Sequence, residues 1–359
     1  MGRDKIPVAV AGATGVVGRE LVRRLARHPW FELVAVAASE RSAGRTLGEL
    51  GGWGEGELPP PIAALALRPL ASSLPARIVF SALDAALAAR AEEELARAGV
   101  AVVSNASAWR MDPRVPLLIP EINPEHLSLV QRQEFGGGAI VTNPNCCVAG
   151  LALVLKPLDD AFGVEEVMVT TFQAVSGAGY PGVPSLDILD TVIPYIAGEE
   201  EKIQSEPTKI LGALTADGVV PAPVRISAQA VRVPVRHGHT LSVAVRLGRR
   251  ASVEEVHQVL AGWPGASQAR GLPSAPPRPL EVRGEPDAPQ PLRHRDAGGG
   301  MTVTVGRVRP CPVWDVRLVA VVHNAGRGAA GAALLNAELL VREGLLPAAQ
   351  PTSQGLWVA

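Results

Sequence analysis

A glycine-punctuated turn near the start constrains this chain more than any other local feature. Val10-Ala11-Gly12-Ala13-Thr14-Gly15-Val16-Val17-Gly18 follows the β-branched run Ile6 to Val10 and precedes a helical pattern, Glu20 to Ala26, with Leu21, Val22 and Leu25 on one side. Strand, turn and helix in that order let clustered glycines bring backbone N–H groups up to a pyrophosphate at the positive end of a helix. The spacing is G-x-x-G-x-x-G and not G-x-G-x-x-G, and a glycine-rich turn can also be plain strand-to-helix punctuation. The position inside a βαβ pattern favours dinucleotide binding, with Gly12, Thr14, Gly15, Val16 and Val17 as the contacts.

The pattern that follows supports this. Leu33 to Ala38, Arg77 to Ser81 and Val100 to Ser104 read as buried strands, with the alanine-rich Ala85 to Ala98 as a helix between the last two. Alternation of this kind predicts a parallel sheet with crossover helices. After about Asn145 the rhythm changes. A helix from Val148 to Ala161 leads into longer strands, Glu166 to Ala174, Ala228 to Val235, Thr240 to Leu247 and Val316 to His323, and a helix from Gly328 to Arg342 closes the pattern. The expected fold class is therefore α/β, with an N-terminal Rossmann-like dinucleotide-binding domain and a second domain of α+β type. At 359 residues the chain exceeds what one compact core supports. The expected division is 1–145, joined by the C-terminal helix at about 327–359, and 146–326. Residues 264–300 are rich in Pro, Gly and Arg without periodicity, and read as a surface connection or a subunit contact.

A formal net charge of −1, from 34 Lys and Arg against 35 Asp and Glu, offers no footprint for nucleic acid or an anionic membrane. No apolar run approaches the ~18 residues of a membrane span, and the start runs directly into an apolar strand, so the cytoplasm is the expected location. Three cysteines, two of them adjacent (Cys146 and Cys147), make no disulfide framework. No metal site is expected, and the partner is expected to be small.

Which dinucleotide fits depends on the end of the second strand, Ser39-Glu40-Arg41-Ser42. A carboxylate there favours NAD and an arginine the 2′-phosphate of NADP. Both signs are present. Ser39 and Arg41 can jointly donate to a phosphate, which favours NADP.

Asn143-Pro144-Asn145-Cys146-Cys147 lies between a strand, Ala139 to Val141, and an apolar helix. A cysteine at a helix N-terminus gains thiolate character from the dipole and free N–H groups, which could also hold an oxyanion. Buried small hydrophobes are the equal alternative for two adjacent cysteines. A thiol nucleophile needs a base within hydrogen-bond reach. Among seven histidines, His237 and His239 stand out, set between two strands around Gly238 and close to Arg232 and Arg236.

Several motifs occur in one order: Gly12 to Gly18, Asn143 to Cys146, Gln173-Ala-Val-Ser-Gly-Ala-Gly-Tyr-Pro-Gly-Val-Pro-Ser185, Glu199-Glu-Glu-Lys202, Lys209-Ile-Leu-Gly212, Arg232-Val-Pro-Val, Gly238-His239, Pro289-Gln-Pro, Gly300-Met and His323 to Gly331. Together they resemble the aspartate-semialdehyde dehydrogenase family, of the archaeal and fungal type, over nearly the whole chain. The resemblance implies a catalytic and dimerisation domain like the C-terminal domain of glyceraldehyde-3-phosphate dehydrogenase. It implies NADP as cofactor, a homodimer or homotetramer, and reductive dephosphorylation of an acyl phosphate in lysine, threonine and methionine biosynthesis.

Residue by residue, the resemblance makes Cys146 the nucleophile and His239 the acid/base. Gln173, Arg232, Glu206 and Asn145 become substrate contacts, with Arg232 gripping a carboxylate and Glu206 an amino group. Arg110 and Lys209 become the phosphate contacts, and Ser81, Ser176, Gly177 and Asn324 join the cofactor set. Cys147 stands where such proteins usually have serine or threonine. Glu199 to Glu201 read as a charged, solvated helix face. A reductase of acyl-CoA such as malonyl-CoA would reuse Cys146 and His239. A catalytically silent NADP-binding redox sensor would use the Cys146 and Cys147 pair.

Overall fold

Two runs of strands with different rhythms give two sheets. The computed structural model describes residues 5–52, 57–70 and 74–347; residues 348–359 of the expected C-terminal attachment lie outside them. The first sheet contains β1 (Ile6–Ala11), β2 (Phe31–Ala38), β3 (Leu67–Pro69), β4 (Ile78–Ser81), β5 (Ala101–Ser104) and β6 (Ala139–Thr142). Their order is β3-β2-β1-β4-β5-β6, with every pairing parallel. Strand order reverses at β1, and ligands of open parallel sheets bind beyond the carboxyl ends of the strands at such a reversal. The glycine turn sits there.

The longer helices are α1 (Val16–Leu25), α2 (Ala85–Arg97), α3 (Cys146–Phe162), α4 (Glu199–Ile210), α5 (Val253–Gly262) and α6 (Gly331–Arg342). On one face of the first sheet, Leu21, Val22 and Leu25 of α1 pack with Val8 and Val10, and Ala333, Leu334, Leu335 and Leu339 of α6 join the same cluster. On the other face, Ala96 of α2 packs with Val102 and Ile140. The terminal helix therefore belongs to the core of the first sheet, a sequence separation of more than 180 residues notwithstanding.

The second sheet is mixed. It is built from β7 (Val164–Ala174), β10 (Arg225–Val233), β11 (His239–Leu247), β12 (Leu280–Val282), β13 (Val303–Pro310) and β14 (Val316–Val322), in the order β10-β7-β11-β14-β13-β12. A separate hairpin joins β8 (Ala213–Thr215) to β9 (Gly218–Val220). Helix α3 is apolar on every side as far as Leu155, and Leu151, Leu153, Val154, Leu155 and Leu158 are fully buried, as an all-round hydrophobic stretch requires. It packs on β7, β11, β13 and β14 and is covered by α4 and α5.

Two expectations change here. The 264–300 segment is not simply a surface connection: β12 pairs in parallel with β13, the Ala266 N–H donates to the Glu121 carbonyl, and Ala269, Leu272 and Leu280 are buried. Single anchoring residues carry no period, which is why the pattern missed them. Helix α1 also begins at Val16 rather than Glu20, because the glycine turn runs straight into the helix.

A buried ion pair ties these parts together. Arg327, in a wide π-type turn ahead of α6, lies 2.7 Å from Glu121 Oε1 and donates through Nε to the Met301 carbonyl. Both side chains are inaccessible, so removing one partner leaves an uncompensated charge. Arg327→Met is expected to cost about 3–5 kcal/mol, read as a clearly lower urea midpoint; an unchanged midpoint would deny the pair that role.

Candidate active site

The chemistry is assembled at the start of α3. Asn145 is its N-cap, and its Oδ1 accepts the backbone N–H groups of Cys147 and Val148. Cys146 becomes the first residue of the helix, two positions before the expected start. No described hydrogen bond takes the Cys146 N–H, as expected for the first turn of a helix.

Two carboxylates of α4 hold this cap. Glu199 Oε2 accepts from Asn145 Nδ2 at 2.8 Å, and Glu206 Oε2 accepts the Asn145 backbone N–H at 2.6 Å. They lie seven residues apart, two helical turns, and so share one face. The expected solvated face is thus corrected for Glu199, which is buried and also accepts from Gln173 Nε2 at 3.1 Å and from Lys202 Nζ at 3.0 Å. Burial works to raise its carboxyl, but Lys202, Asn145 and Gln173 prevail and hold it below the ordinary value. Glu200 receives the Ala230 N–H, and only Glu201 matches the solvated reading in full.

His239 opens β11 and is fully buried. Its Nδ1 accepts the Ala174 backbone N–H at 3.0 Å. A ring nitrogen that accepts carries no proton, so in the neutral ring the hydrogen sits on Nε2, which lies 3.1 Å from Cys146 Sγ. The Cys146 thiol is held well below its ordinary value, chiefly by hydrogen bonding from the Cys147 thiol and further by His239, against the opposing effect of burial. The Cys147 thiol is pushed well above, first by burial and then by Cys146. The partition between the two cysteines, undecided from helix position alone, is physical: the half-buried thiol is the one held low and the buried one is pushed up. His237 instead stacks on His323, with ring centroids 6.0 Å apart.

Sheet register supplies the rest. Gln173 on β7 and Arg232 on β10 are direct partners, at the end of the sheet where His239 begins β11. Arg232 Nη1 donates to the Ala174 carbonyl at 2.9 Å. The 175–178 turn passes so close that a Cβ on Gly177 would stand 2.9 Å from Arg232 Nη1 and 3.1 Å from the His239 ring, so a larger residue would displace one or both. Asn324 bridges that turn to the histidine loop, donating to Ser176 Oγ at 2.8 Å and accepting the Gly238 N–H at 2.9 Å. Ser176, Gly177 and Asn324 therefore converge beside His239.

Arg110 and Lys209 are placed differently from the expected pair of phosphate contacts. Lys209 Nζ donates to the carbonyls of Arg110, Asp112 and Val115 at 2.7–2.8 Å, its full donor complement. Burial lowers it to about 8, still protonated at neutral pH as three carbonyl acceptors require. It anchors the loop that carries Arg110. Arg110 donates to Glu206 Oε1 at 2.8 Å and to the Asn105 carbonyl at 2.6 Å. Glu206 is thereby committed to Arg110 and Asn145, and burial, outweighing both partners, raises its carboxyl. The side chains that the sequence reading missed are Glu199 and Lys202. Their local pattern is that of any charged helix; what distinguishes them is the burial of Glu199 against Asn145 and Gln173 and the pairing of Lys202 with it.

The cofactor residues meet a steric test. Gly12 has φ +81°, and a Cβ there would lie 2.5 Å from the Ala82 carbonyl; a Cβ on Gly18 would lie 2.1 Å from the Gly12 carbonyl. Strand, turn and helix are thus packed backbone to backbone. Gly15 caps α1 without a side chain and no acid occupies the first turn, leaving the positive helix end clear for a diphosphate. Ser81 ends β4 level with Ala11. Ser39 and Arg41 are exposed just beyond β2. The residues fit NADP.

A doubly wound cofactor domain joined to a cysteine and histidine at a helix N-terminus defines a thiol-dependent aldehyde dehydrogenase. Comparisons agree. The model for the semialdehyde dehydrogenase NAD-binding domain matches residues 7–130, and that for its dimerisation domain matches residues 155–325. Aspartate-semialdehyde dehydrogenase of Archaeoglobus fulgidus is 46% identical over 94% of this chain and 99% of its own, and that of Cryptococcus neoformans 43% over 96% and 99%. The crystal structure of the Candida albicans aspartate-semialdehyde dehydrogenase with NADP superposes with a TM-score of 0.87, at 38% identity over 95% of this chain and 99% of that one. The chain belongs to the aspartate-semialdehyde dehydrogenase family.

The asymmetry between the cysteines is directly measurable. Iodoacetamide at pH 7 is expected to alkylate Cys146 well ahead of Cys147 and Cys311, as mapped by peptide mass spectrometry. Because its folded value is depressed, Cys146 should stay reactive below the pH at which an ordinary thiol falls silent. Equal labelling of all three would contradict the thiolate assignment.

Proposed function

We propose that this protein reduces L-aspartyl 4-phosphate to L-aspartate 4-semialdehyde with NADPH, releasing phosphate, through a thioester on Cys146. The observation that carries the reading is the 3.1 Å contact between Cys146 Sγ and His239 Nε2, ringed by a buried arginine, glutamine and glutamate suited to an amino-acid substrate. We also propose that it works in the cytoplasm as a homodimer or homotetramer, in line with the dimerisation-domain match and free cysteines. Among the described residues no helix is long and apolar enough to cross a membrane.

Cys146 thiolate attacks the acyl carbon and the phosphate oxygen leaves with the bonding pair. Arg232 grips the substrate carboxylate with its planar fork, and Gln173 orients the chain. Glu199, ionised and facing Gln173, receives the substrate ammonium in place of Glu206. Arg110 and Lys202, rather than Lys209, meet the phosphate. Asn145 keeps Cys146 at the helix start. NADPH, held by Gly12, Thr14, Gly15, Val16, Val17, Ser39, Arg41 and Ser81, with Ser176, Gly177 and Asn324 beside His239, supplies the hydride to the thioester carbon. The Cys146 N–H and the His239 Nε2–H stabilise the resulting oxyanion, whose collapse expels the thiolate and yields aldehyde. This sequence needs no net proton at Cys146, so His239 serves as a fixed hydrogen-bond donor rather than a shuttle.

Oxidation of aspartate semialdehyde, followed by nicotinamide absorbance, should require phosphate or arsenate. Turnover indifferent to both, or activity with malonyl-CoA alone, would replace the acyl-phosphate reading by an acyl-CoA one. Cys146→Ala should abolish turnover while NADPH fluorescence still reports binding, and retained turnover would reject Cys146 as nucleophile. Glu199→Gln and Lys202→Met should each lower kcat/KM by about 10- to 100-fold, the worth of a charged hydrogen bond. Lys209→Met should mainly lower thermal stability; the reverse pattern would restore Lys209 as the ligand.

A further inference from the structure

The proposed reaction uses Cys147 only as a hydrogen-bond donor to Cys146, a task a hydroxyl could perform, although its sulfur stands at the second position of α3 and is fully buried. Cys146 Sγ, Cys147 Sγ and a His239 ring nitrogen all lie within 4.8 Å of one another. We propose that Cys146 and Cys147 form a dithiolate site for a soft, low-coordinate monovalent cation, with Cu(I) the fitting ion.

The geometry selects the ion. A metal roughly 2.3 Å from each sulfur can bridge two sulfurs up to about 4.6 Å apart, and these two lie within 4.8 Å of one another, so a bent two-sulfur bridge forms without rebuilding the helix start. Thiolate ligands select soft ions, Cu(I) among them. Zn2+ would require more ligands, and His239 does not serve as one. Its Nδ1 accepts the Ala174 N–H, so binding a metal at Nε2 would move the ring proton to Nδ1 and set it against that donor. Two sulfurs remain, which suits an ion that accepts two ligands.

Binding is a simple exchange. Cu(I) joins the Cys146 thiolate and the Cys147 thiol, one proton leaves, no oxidation state changes, and the complex carries one negative charge. Arg232 acts electrostatically on both sulfurs and offsets that charge. An occupied site has no free nucleophile, so turnover stops until the ion is withdrawn. Serine or threonine at position 147 would provide no second soft ligand.

The inference rests on the two sulfurs and not on the reaction, and its readout is independent of activity. The reduced full-length protein is titrated anaerobically against Cu(I) held by bathocuproine disulfonate, whose absorbance reports the ion withdrawn. The wild type should remove one equivalent. Cys147→Ser should weaken uptake by more than about tenfold, and so should Cys146→Ser, each checked for intact folding by NADPH fluorescence. Cys311→Ser, altering a thiol that accepts the Trp314 N–H elsewhere in the fold, should behave as wild type. Uptake unchanged in Cys147→Ser, uptake lost in Cys311→Ser, or equal competition by Zn2+ would overturn the site.

Discussion

The structure depends on the grip of two α4 carboxylates on Asn145. Glu206 takes its backbone N–H and Glu199 its side-chain amide, leaving Oδ1 to cap α3. The cap places Cys146 in the first turn, where dipole and N–H groups favour a thiolate. An exposed cap could fray. This one is buried and charge-reinforced, so the nucleophile stays in register with the histidine on the neighbouring sheet. Charged residues buried at such cost persist because each has partners on more than one element.

The same device recurs. Lys209 fastens the 110–115 loop by three carbonyls, that loop presents Arg110 to Glu206, and Glu206 returns to Asn145. Lys209 and Glu206, expected to touch substrate, have their hydrogen bonds taken up by the loop and the cap instead. Family motifs mark contacts and supports alike, because losing a support displaces the contact it supports.

His239 illustrates how a main-chain atom can define a chemical role. The Ala174 N–H assigns the tautomer and directs Nε2–H towards the sulfur. The adjacent thiol of Cys147, raised by burial, remains a neutral donor to its neighbour. One helix start thus contains two thiols shifted in opposite directions, a difference created by exposure and partners rather than residue type.

Much was legible from the chain itself. The glycine turn, the alternating elements and the apolar α3 identified a parallel sheet, a second domain and a cysteine near a helix start, because backbone sterics and hydrophobic period are local properties. The ordered motifs pointed to Cys146, His239, Gln173 and Arg232, and the structure brings these four together. The tertiary structure alone decided which charges face the site. Glu199 and Glu206 belong to the same face of one helix, yet their roles follow from what α3 and the 110–115 loop set against them. It alone packed part of the 264–300 segment, whereas the return of α6 to the first sheet agrees with the expectation from the chain. Pairing and burial arise between residues far apart in sequence, and no local pattern encodes the partner.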